Sequence, residues 1–255
     1  MHEPPAPTLA VGILTQNQAH RIRPLLEQAN TIANEVLLVD GGSTDTTAVL
    51  AAQFPKVRMI HRPFDGNFAA QRNFAIDAAK SDWILFLDTD ELLGPNAVRI
   101  LPALLRTEVH GVKFPRYWIS PTKPTHYIES EIHYPDRQLR LLRRLPQIRF
   151  DENRPVHETI PKEARGPVLR LRRSHILHYC FQWESLEDRR KKVARYEARR
   201  QAWRTNRMYL FEEMEHRHYP LREDWRNGQP WVASMLDYWR DLARLYLPDL
   251  RRHDG

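Results

Sequence analysis

Glu35-Val36-Leu37-Leu38-Val39-Asp40-Gly41-Gly42-Ser43-Thr44-Asp45 is the stretch on which the fold turns. An unbroken apolar run, short and closed at once by glycines, reads as a strand buried on both faces. Gly41 and Gly42 permit a tight turn and a close approach of backbone to a ligand. Ser43, Thr44 and Asp45 are residue types that open a helix, expected here to run to about residue 53.

Outward from this stretch the same unit recurs. Residues 9–14 form a short apolar run that reads as a strand, and residues 20–33 set Ile22, Leu25, Leu26 and Ala29 at helical spacing. Residues 57–61 read as a third strand. Residues 68–80 read as a helix with Phe68, Phe74, Ala75 and Ala78 as core contacts. Residues 83–87 form a fourth strand ending at Asp88, and residues 95–106 a helix with Pro95 in its first turn. Strands alternating with helices imply parallel βαβ units with right-handed crossovers, hence an α/β, doubly wound, mostly parallel sheet. Ligands of such sheets bind outside the carboxyl ends of the strands. Thr15, Asp40 and Asp88 each follow a strand end and so converge on that edge.

The pattern changes after residue 110. Residues 113–119 and 138–142 read as mixed or antiparallel strands, punctuated by Pro121, Pro124 and Pro135. Residues 168–171 and 175–181 read as short strands, residues 186–203 as a basic helix. A last helix over 231–247 places Val232, Leu236, Trp239, Ala243 and Tyr246 on one face. The expected organisation is a domain over 8–182, in halves of about 8–110 and 111–182, and a helical C-terminal extension over 183–255.

A hydrophobic fraction of 42% with 28% charged residues describes a globular chain. The longest apolar runs are far too short to span a bilayer, and the proline-rich start lacks the pattern of a secretory signal. Cys180 is the one cysteine, so no internal disulfide forms, which fits a cytoplasmic location. The net charge of +7 lies mostly after Arg137 and admits nucleic acid, an anionic membrane or a phosphate-rich substrate as partner, beside a merely solvated basic face. The chain has no zinc-ligand cysteines, RNA-binding signature or helix-turn-helix pattern, so no nucleic-acid partner is expected.

Two segments carry chemistry. Phe86-Leu87-Asp88-Thr89-Asp90-Glu91 delivers two carboxylates two residues apart at a strand end. Hard divalent cations take oxygen ligands and complete their shell with water and phosphate, so such a pair suits a metal held against a diphosphate; the plain alternative is helix capping ahead of Pro95. Asp40, before the glycines, is placed to accept hydrogen bonds from a nucleobase or ribose; its plain alternative is a tight strand-to-helix turn.

Taken in order, these residues resemble glycosyltransferase family 2, with its GT-A fold. Thr15-Gln16-Asn17 resembles the family's segment after the first strand, and Val39 to Thr47 its Val-Asp-Asp-Gly-Ser-Thr-Asp segment; Gln71-Arg72-Asn73 and Asp88-Thr89-Asp90-Glu91 follow in the expected order. The match covers about residues 10–91. It departs at Gln16, Gln18 and Gly41, positions that bear on the base more than on the chemistry. The resemblance implies that Thr15, Asn17 and Asp40 line the nucleotide pocket, Arg72 approaches the diphosphate or positions the aspartates, Asp88 meets ribose or metal, and Asp90 the metal, Mg2+ or Mn2+.

Shorter segments resemble the bacterial branch that glycosylates lipopolysaccharide core: Tyr134-Pro135-Asp136, Gln138-Leu139-Arg140-Leu141 with Arg143 and Arg144, Val156-His157-Glu158, and Leu177-His178-Tyr179. Inverting transfer needs a base for the acceptor hydroxyl. Glu158 leads, with Asp136 behind it. His157 orients the base or binds acceptor or diphosphate, and His178 is a candidate third metal ligand; each histidine is equally a packed or surface residue. Arg140, Arg143 and Arg144 suit an acceptor phosphate or a solvated strand edge.

The expected function is metal-dependent, inverting transfer from a nucleoside diphosphate sugar to the hydroxyl of a glycan or lipid-linked acceptor. Basic residues and tryptophans after residue 186 offer peripheral contact with the inner membrane face as a further partner; the favoured alternative is that the last helix packs its Trp239 and Leu236 face onto the catalytic domain and the arginines are solvated. The alternatives are a sugar nucleotidyltransferase, against which residues 14–20 contain no glycine, and a non-catalytic sugar-nucleotide-binding protein.

Overall fold

The computed structural model describes residues 5–155, 158–197, 207–221 and 239–243. In chain order the elements are β1 (Leu9–Thr15), α1 (Arg23–Ile32), β2 (Glu35–Asp40), α2 (Thr47–Ala51), β3 (Val57–His61), α3 (Phe68–Ala78), β4 (Trp83–Phe86), β5 (Glu91–Leu93) and α4 (Pro95–Leu105). There follow β6 (Gly111–Ile119), β7 (His126–Glu129), β8 (Asp136–Arg143), α5 (Lys162–Arg165), β9 (Val168–Arg170), β10 (Ile176–His178), α6 (Cys180–Trp183), α7 (Leu186–Glu197) and β11 (Arg217–Pro220). The described residues fall into two compact units. The first draws its described residues from 5–92, 101–113, 139–155 and 158–170, the second from 93–100, 114–138, 171–197, 207–221 and 239–243.

In the first unit β1, β2, β3 and β4 are parallel, in the order β3-β2-β1-β4, and β8 runs antiparallel beyond β4. β1, β2 and β4 are buried almost throughout, which explains their continuous apolar runs. Gly12 is required where β1 passes Phe86, since a Cβ there would stand 2.7 Å from the ring. α1 starts with a proline in its first turn and buries Leu25, Leu26 and Ala29. α3 is capped by Asn67, whose side chain accepts from the Ala70 N–H at 3.1 Å. The core joins Leu37, Val39, Ile84 and Phe86 of the sheet to Ala69, Ala75 and Ile76 of α3, and to Ile148, Phe150 and Ile160.

α3 corrects one expectation. Phe74 is exposed, while Gln71, Arg72 and Asn73 are buried. The helix turns three polar residues inward because each ties down a loop. Gln71 donates to the Arg62 carbonyl at 2.8 Å, Arg72 binds carboxylates, and Asn73 exchanges hydrogen bonds with the Phe150 backbone.

In the second unit Trp118 of β6 pairs antiparallel with Ile128 of β7, and β7 pairs antiparallel with β11. β10 is parallel to β6. Residues 175–181 are not one strand. β10 ends at His178, and α6 turns Cys180 and Phe181 into an apolar cluster with Trp118, Ile128 and Phe211. α7 is pinned by Arg189, which is buried, donates to the Tyr209 carbonyl and pairs with Glu212 at 2.6 Å. Of the basic helix expected over 186–203, residues 198–203 lie outside the described residues. So do Val232, Leu236 and Tyr246 of the last helix. Residues 239–243 are helical, and Trp239 is 57% exposed rather than core-facing. The buried carboxylate of Asp241 holds this turn, accepting the N–H groups of Arg172 and Arg173 at 3.0 and 2.9 Å and the Ser174 hydroxyl at 2.9 Å.

Candidate active site

The carboxyl edge of the parallel sheet gathers Thr15, Asn17, Asp40, Arg72, Asp88, Asp90 and Glu158, all residues of the first unit. Thr15 and Asp40 are register partners at the ends of β1 and β2, and the Gly41 N–H donates to the Thr15 carbonyl at 2.8 Å. Asn17 has φ 55°, a left-handed conformation that asparagine tolerates. Its side-chain oxygen accepts the N–H groups of Thr44 and Asp45 at 2.8 and 3.3 Å, while its own N–H reaches Ser43 Oγ at 2.9 Å. Asn17 thus stitches the loop after β1 to the loop after β2.

Asp40 is buried and holds the second loop from inside. It accepts the Ser43 hydroxyl at 2.5 Å, the Ser43 N–H at 3.1 Å and the Gly42 N–H at 3.2 Å, with His61 Nδ1 at 3.4 Å. Burial alone would raise its pKa, but these hydrogen bonds outweigh burial and hold the carboxyl below its usual range.

Past β4, opposite charges alternate. Arg72 Nε donates to Glu158 Oε1 at 2.7 Å, and its Nη2 to Asp88 Oδ1 at 3.0 Å. Arg140 Nη2 binds Asp88 Oδ2 and also Glu91 Oε1, the latter at 2.7 Å. Both guanidiniums are buried, and burial disfavours their charge. The carboxylates around them more than offset that cost and raise both pKa values, so each arginine stays charged. Each Asp88 oxygen therefore carries a guanidinium, although the side chain keeps 38% of its surface exposed. Asp90, two residues on, is 5% exposed. Its carboxylate offers the oxygen donors that hard divalent cations select.

Asp136 and His178 belong to the second unit. Asp136 accepts from Arg116 Nε at 2.7 Å, the Trp118 indole at 3.0 Å and Gln138 at 2.5 Å. Burial pushes its pKa up, and Arg116 with these hydrogen bonds overrides burial and depresses it. His178 ends β10, buried edge-on to Trp118. His157 and its neighbour Val156 lie outside the described residues.

Two readings of the arginines change. Arg140 is buried between Asp88 and Glu91 rather than offered to an acceptor phosphate. Arg143 and Arg144 sit at the amino end of β4: Arg143 is register partner of Trp83 and bonds Glu108 at 2.9 Å, and Arg144 donates to the Ser81 carbonyl. Sequence reading quoted Glu91 without a role and gave Arg140 to an acceptor phosphate or a solvated edge, and so missed their pairing with each other and with Asp88. The available signal was the alternation Leu139-Arg140-Leu141, which sets Arg140 against its apolar neighbours on β8.

A parallel sheet ordered β3-β2-β1-β4, a glycine-serine turn after β2 and an acidic turn after β4 define a nucleotide-binding α/β protein of GT-A fold. The family model described as "Glycosyl transferase family 2" matches residues 10–212, and the chain belongs to that family. The chain is 30% identical over 182 residues to the lipopolysaccharide core biosynthesis glycosyltransferase LpsC of Rhizobium meliloti, covering 67% of this chain and 63% of LpsC. It is 34% identical over 87 residues to the SPbeta prophage-derived glycosyltransferase SunS of Bacillus subtilis, covering 34% of this chain and 21% of SunS. It thus spans less than two thirds of the length of either relative. Among solved structures, the mannosyltransferase PcManGT of Pyrobaculum calidifontis, in complex with GDP-Man and Mn2+, superposes with a TM-score of 0.52 at 13% identity, covering 96% of this chain and 82% of that one.

Proposed function

We propose that the protein transfers a sugar, with inversion, from a nucleoside diphosphate sugar to a hydroxyl of a cell-surface glycan or lipid-linked acceptor. The observation that carries this reading is the charge chain Glu158–Arg72–Asp88–Arg140–Glu91 at the carboxyl edge of the sheet, with Asp90 beside it. The stitched loops at Asn17 and Asp40 receive the nucleotide. The exposed face of Asp88 meets the ribose. Asp90 would hold a divalent cation, Mg2+ or Mn2+, which when bound would neutralise charge on the departing diphosphate. Arg72, fixed by Glu158 and Asp88, adds positive charge near the leaving group.

Glu158 takes the proton from the acceptor hydroxyl as its oxygen bonds to the anomeric carbon. The bond from that carbon to the diphosphate oxygen breaks, and its electron pair leaves with the nucleotide. Asp136 is the second candidate for this role; Arg116 stabilises its ionised form, which weakens it as a base. His157 stands next to Glu158 in sequence and is proposed to orient it.

The likeness to LpsC, a lipopolysaccharide core biosynthesis glycosyltransferase, supports the glycan acceptor, and the GDP-Man and Mn2+ bound to PcManGT support the donor class and cation. We place the reaction in the cytoplasm, with peripheral contact at the inner membrane face through exposed Trp239 and Arg240. Among the described residues no helix is long and apolar enough to cross a membrane.

The test is incubation with nucleoside diphosphate sugars and Mn2+, without acceptor. Slow release of nucleoside diphosphate, abolished by excess chelator and by Asp90→Ala, is the expected result. Pyrophosphate release would point to nucleotidyl transfer, and chelator-resistant turnover would remove the cation from the mechanism.

A further inference from the structure

The turn that carries Asp88 and Asp90 is closed twice by hydrogen bonds between Asp88 and Glu91. The Glu91 N–H donates to the Asp88 carbonyl at 2.9 Å, and the Asp88 N–H donates to Glu91 Oε2 at 3.1 Å. Glu91 is completely buried. Its other oxygen, Oε1, accepts from Arg140 Nη2 at 2.7 Å, and the same nitrogen binds Asp88 Oδ2. Main chain of Asp88, carboxylate of Glu91, guanidinium of Arg140 and carboxylate of Asp88 therefore form a closed ring. Arg140 reaches it because β8 lies antiparallel to β4, in a register that pairs Leu85 with Leu141.

We propose that Arg140 and Glu91 are positioning residues of the donor site: their ring fixes the turn and so aims Asp90 at the cation and diphosphate. The inference rests on the transfer reading above. A buried carboxylate is costly unless it is paired, and hydrogen bonds from neutral groups would close a turn at lower cost. A planar guanidinium adds fixed directionality between two carboxylates. That rigidity matters because groups that orient metal-binding carboxylates govern cation affinity without touching the cation.

The experiment uses the full chain, with Mn2+ together with UDP or GDP as probes. Arg140→Met strands Glu91 as a buried charge and risks unfolding. It is therefore compared with the double variant Arg140→Met/Glu91→Leu, which removes both charges, and with Glu91→Gln, which keeps an acceptor for the Asp88 N–H. Two quantities are read on folded protein: amide hydrogen exchange over residues 86–93, which needs no ligand, and calorimetric affinity for Mn2+ with nucleotide. In the double variant exchange should quicken about tenfold or more and affinity should fall by about 10–100-fold, the scale for groups that orient metal ligands. Glu91→Gln should recover part of both. Wild-type exchange and affinity in a folded double variant, or in Glu91→Gln if the double variant does not fold, overturns the proposal. Wild-type protein that binds neither nucleotide with Mn2+ would instead remove the transfer reading and leave the exchange measurement to decide the ring.

Discussion

Asp40 spends its hydrogen-bonding capacity largely inside its own turn, on Ser43, Gly42 and His61. Its effect on a nucleotide is then exerted through the loop it shapes as much as by direct contact. Asp40→Ala should weaken donor binding by about 1–3 kcal/mol, the scale for hydrogen bonds to a charged group, and Ser43→Ala should reproduce part of that loss in calorimetry. Unchanged affinity in both would take this loop out of the pocket. Glu158 differs, since it reaches out of its own loop to accept from Arg72 Nε at 2.7 Å. Glutamine keeps an oxygen for Arg72 and loses the capacity to take a proton. Glu158→Gln should therefore bind donor normally while transfer falls roughly 10²–10⁴-fold, the usual worth of a general base. If Asp136→Asn proves dead and Glu158→Gln active, the two roles exchange.

Among elements, the loop after β7 shows how a buried histidine ties two segments together. His133 is fully buried. The Met208 carbonyl lies 2.6 Å from Nε2, so that nitrogen donates, and Nδ1 accepts from the Ser130 hydroxyl at 2.7 Å. Burial lowers its pKa from the ordinary 6.5 to about 4, against weaker opposing effects of Met208 and Asp136. In the folded chain His133 is neutral down to that value, whereas the unfolded chain binds a proton below 6.5. Between the two the unfolded state holds more protons, so stability falls as pH falls, by at most about 1.4 kcal/mol per pH unit from this group. Below pH about 4 both states are protonated and the contribution is constant. Asp136 and Asp40, whose folded pKa values are depressed, act in a separate and more acidic window. Urea titrations at pH 7, 6 and 5 should show the loss, and His133→Asn should flatten it; an equal slope in the variant would rule His133 out as the source.

For the whole molecule, the relevant quantity is the net charge of +7, concentrated after Arg137. Trp239 lies exposed on the helical turn that Asp241 anchors to residues 172–174. An interfacial tryptophan among arginines favours an anionic surface, and that attraction fades as salt shortens the Debye length. Co-sedimentation with anionic vesicles should be clear at low ionic strength, decline at high salt and weaken in Trp239→Ala. No co-sedimentation at low salt would end the membrane proposal.

The parallel βαβ run was legible in sequence because its evidence is local. Apolar strands such as residues 36–39, their closing glycines and the helical spacing of Leu25, Leu26 and Ala29 depend only on neighbours along the chain. The family and the order of its motifs came the same way. The inward face of α3 did not, since Gln71, Arg72 and Asn73 are buried by partners up to 86 residues away in sequence. Nor did the use of Arg140. A strand arginine reads alike whether it meets water or two carboxylates, and only the pairing of β8 with β4 places it against Asp88 and Glu91. Sequence alone determined which residue types stand at the carboxyl edge. The tertiary structure decided which charges face one another there, because ionic pairing depends on distance in space and a buried charge is stable only beside its partner.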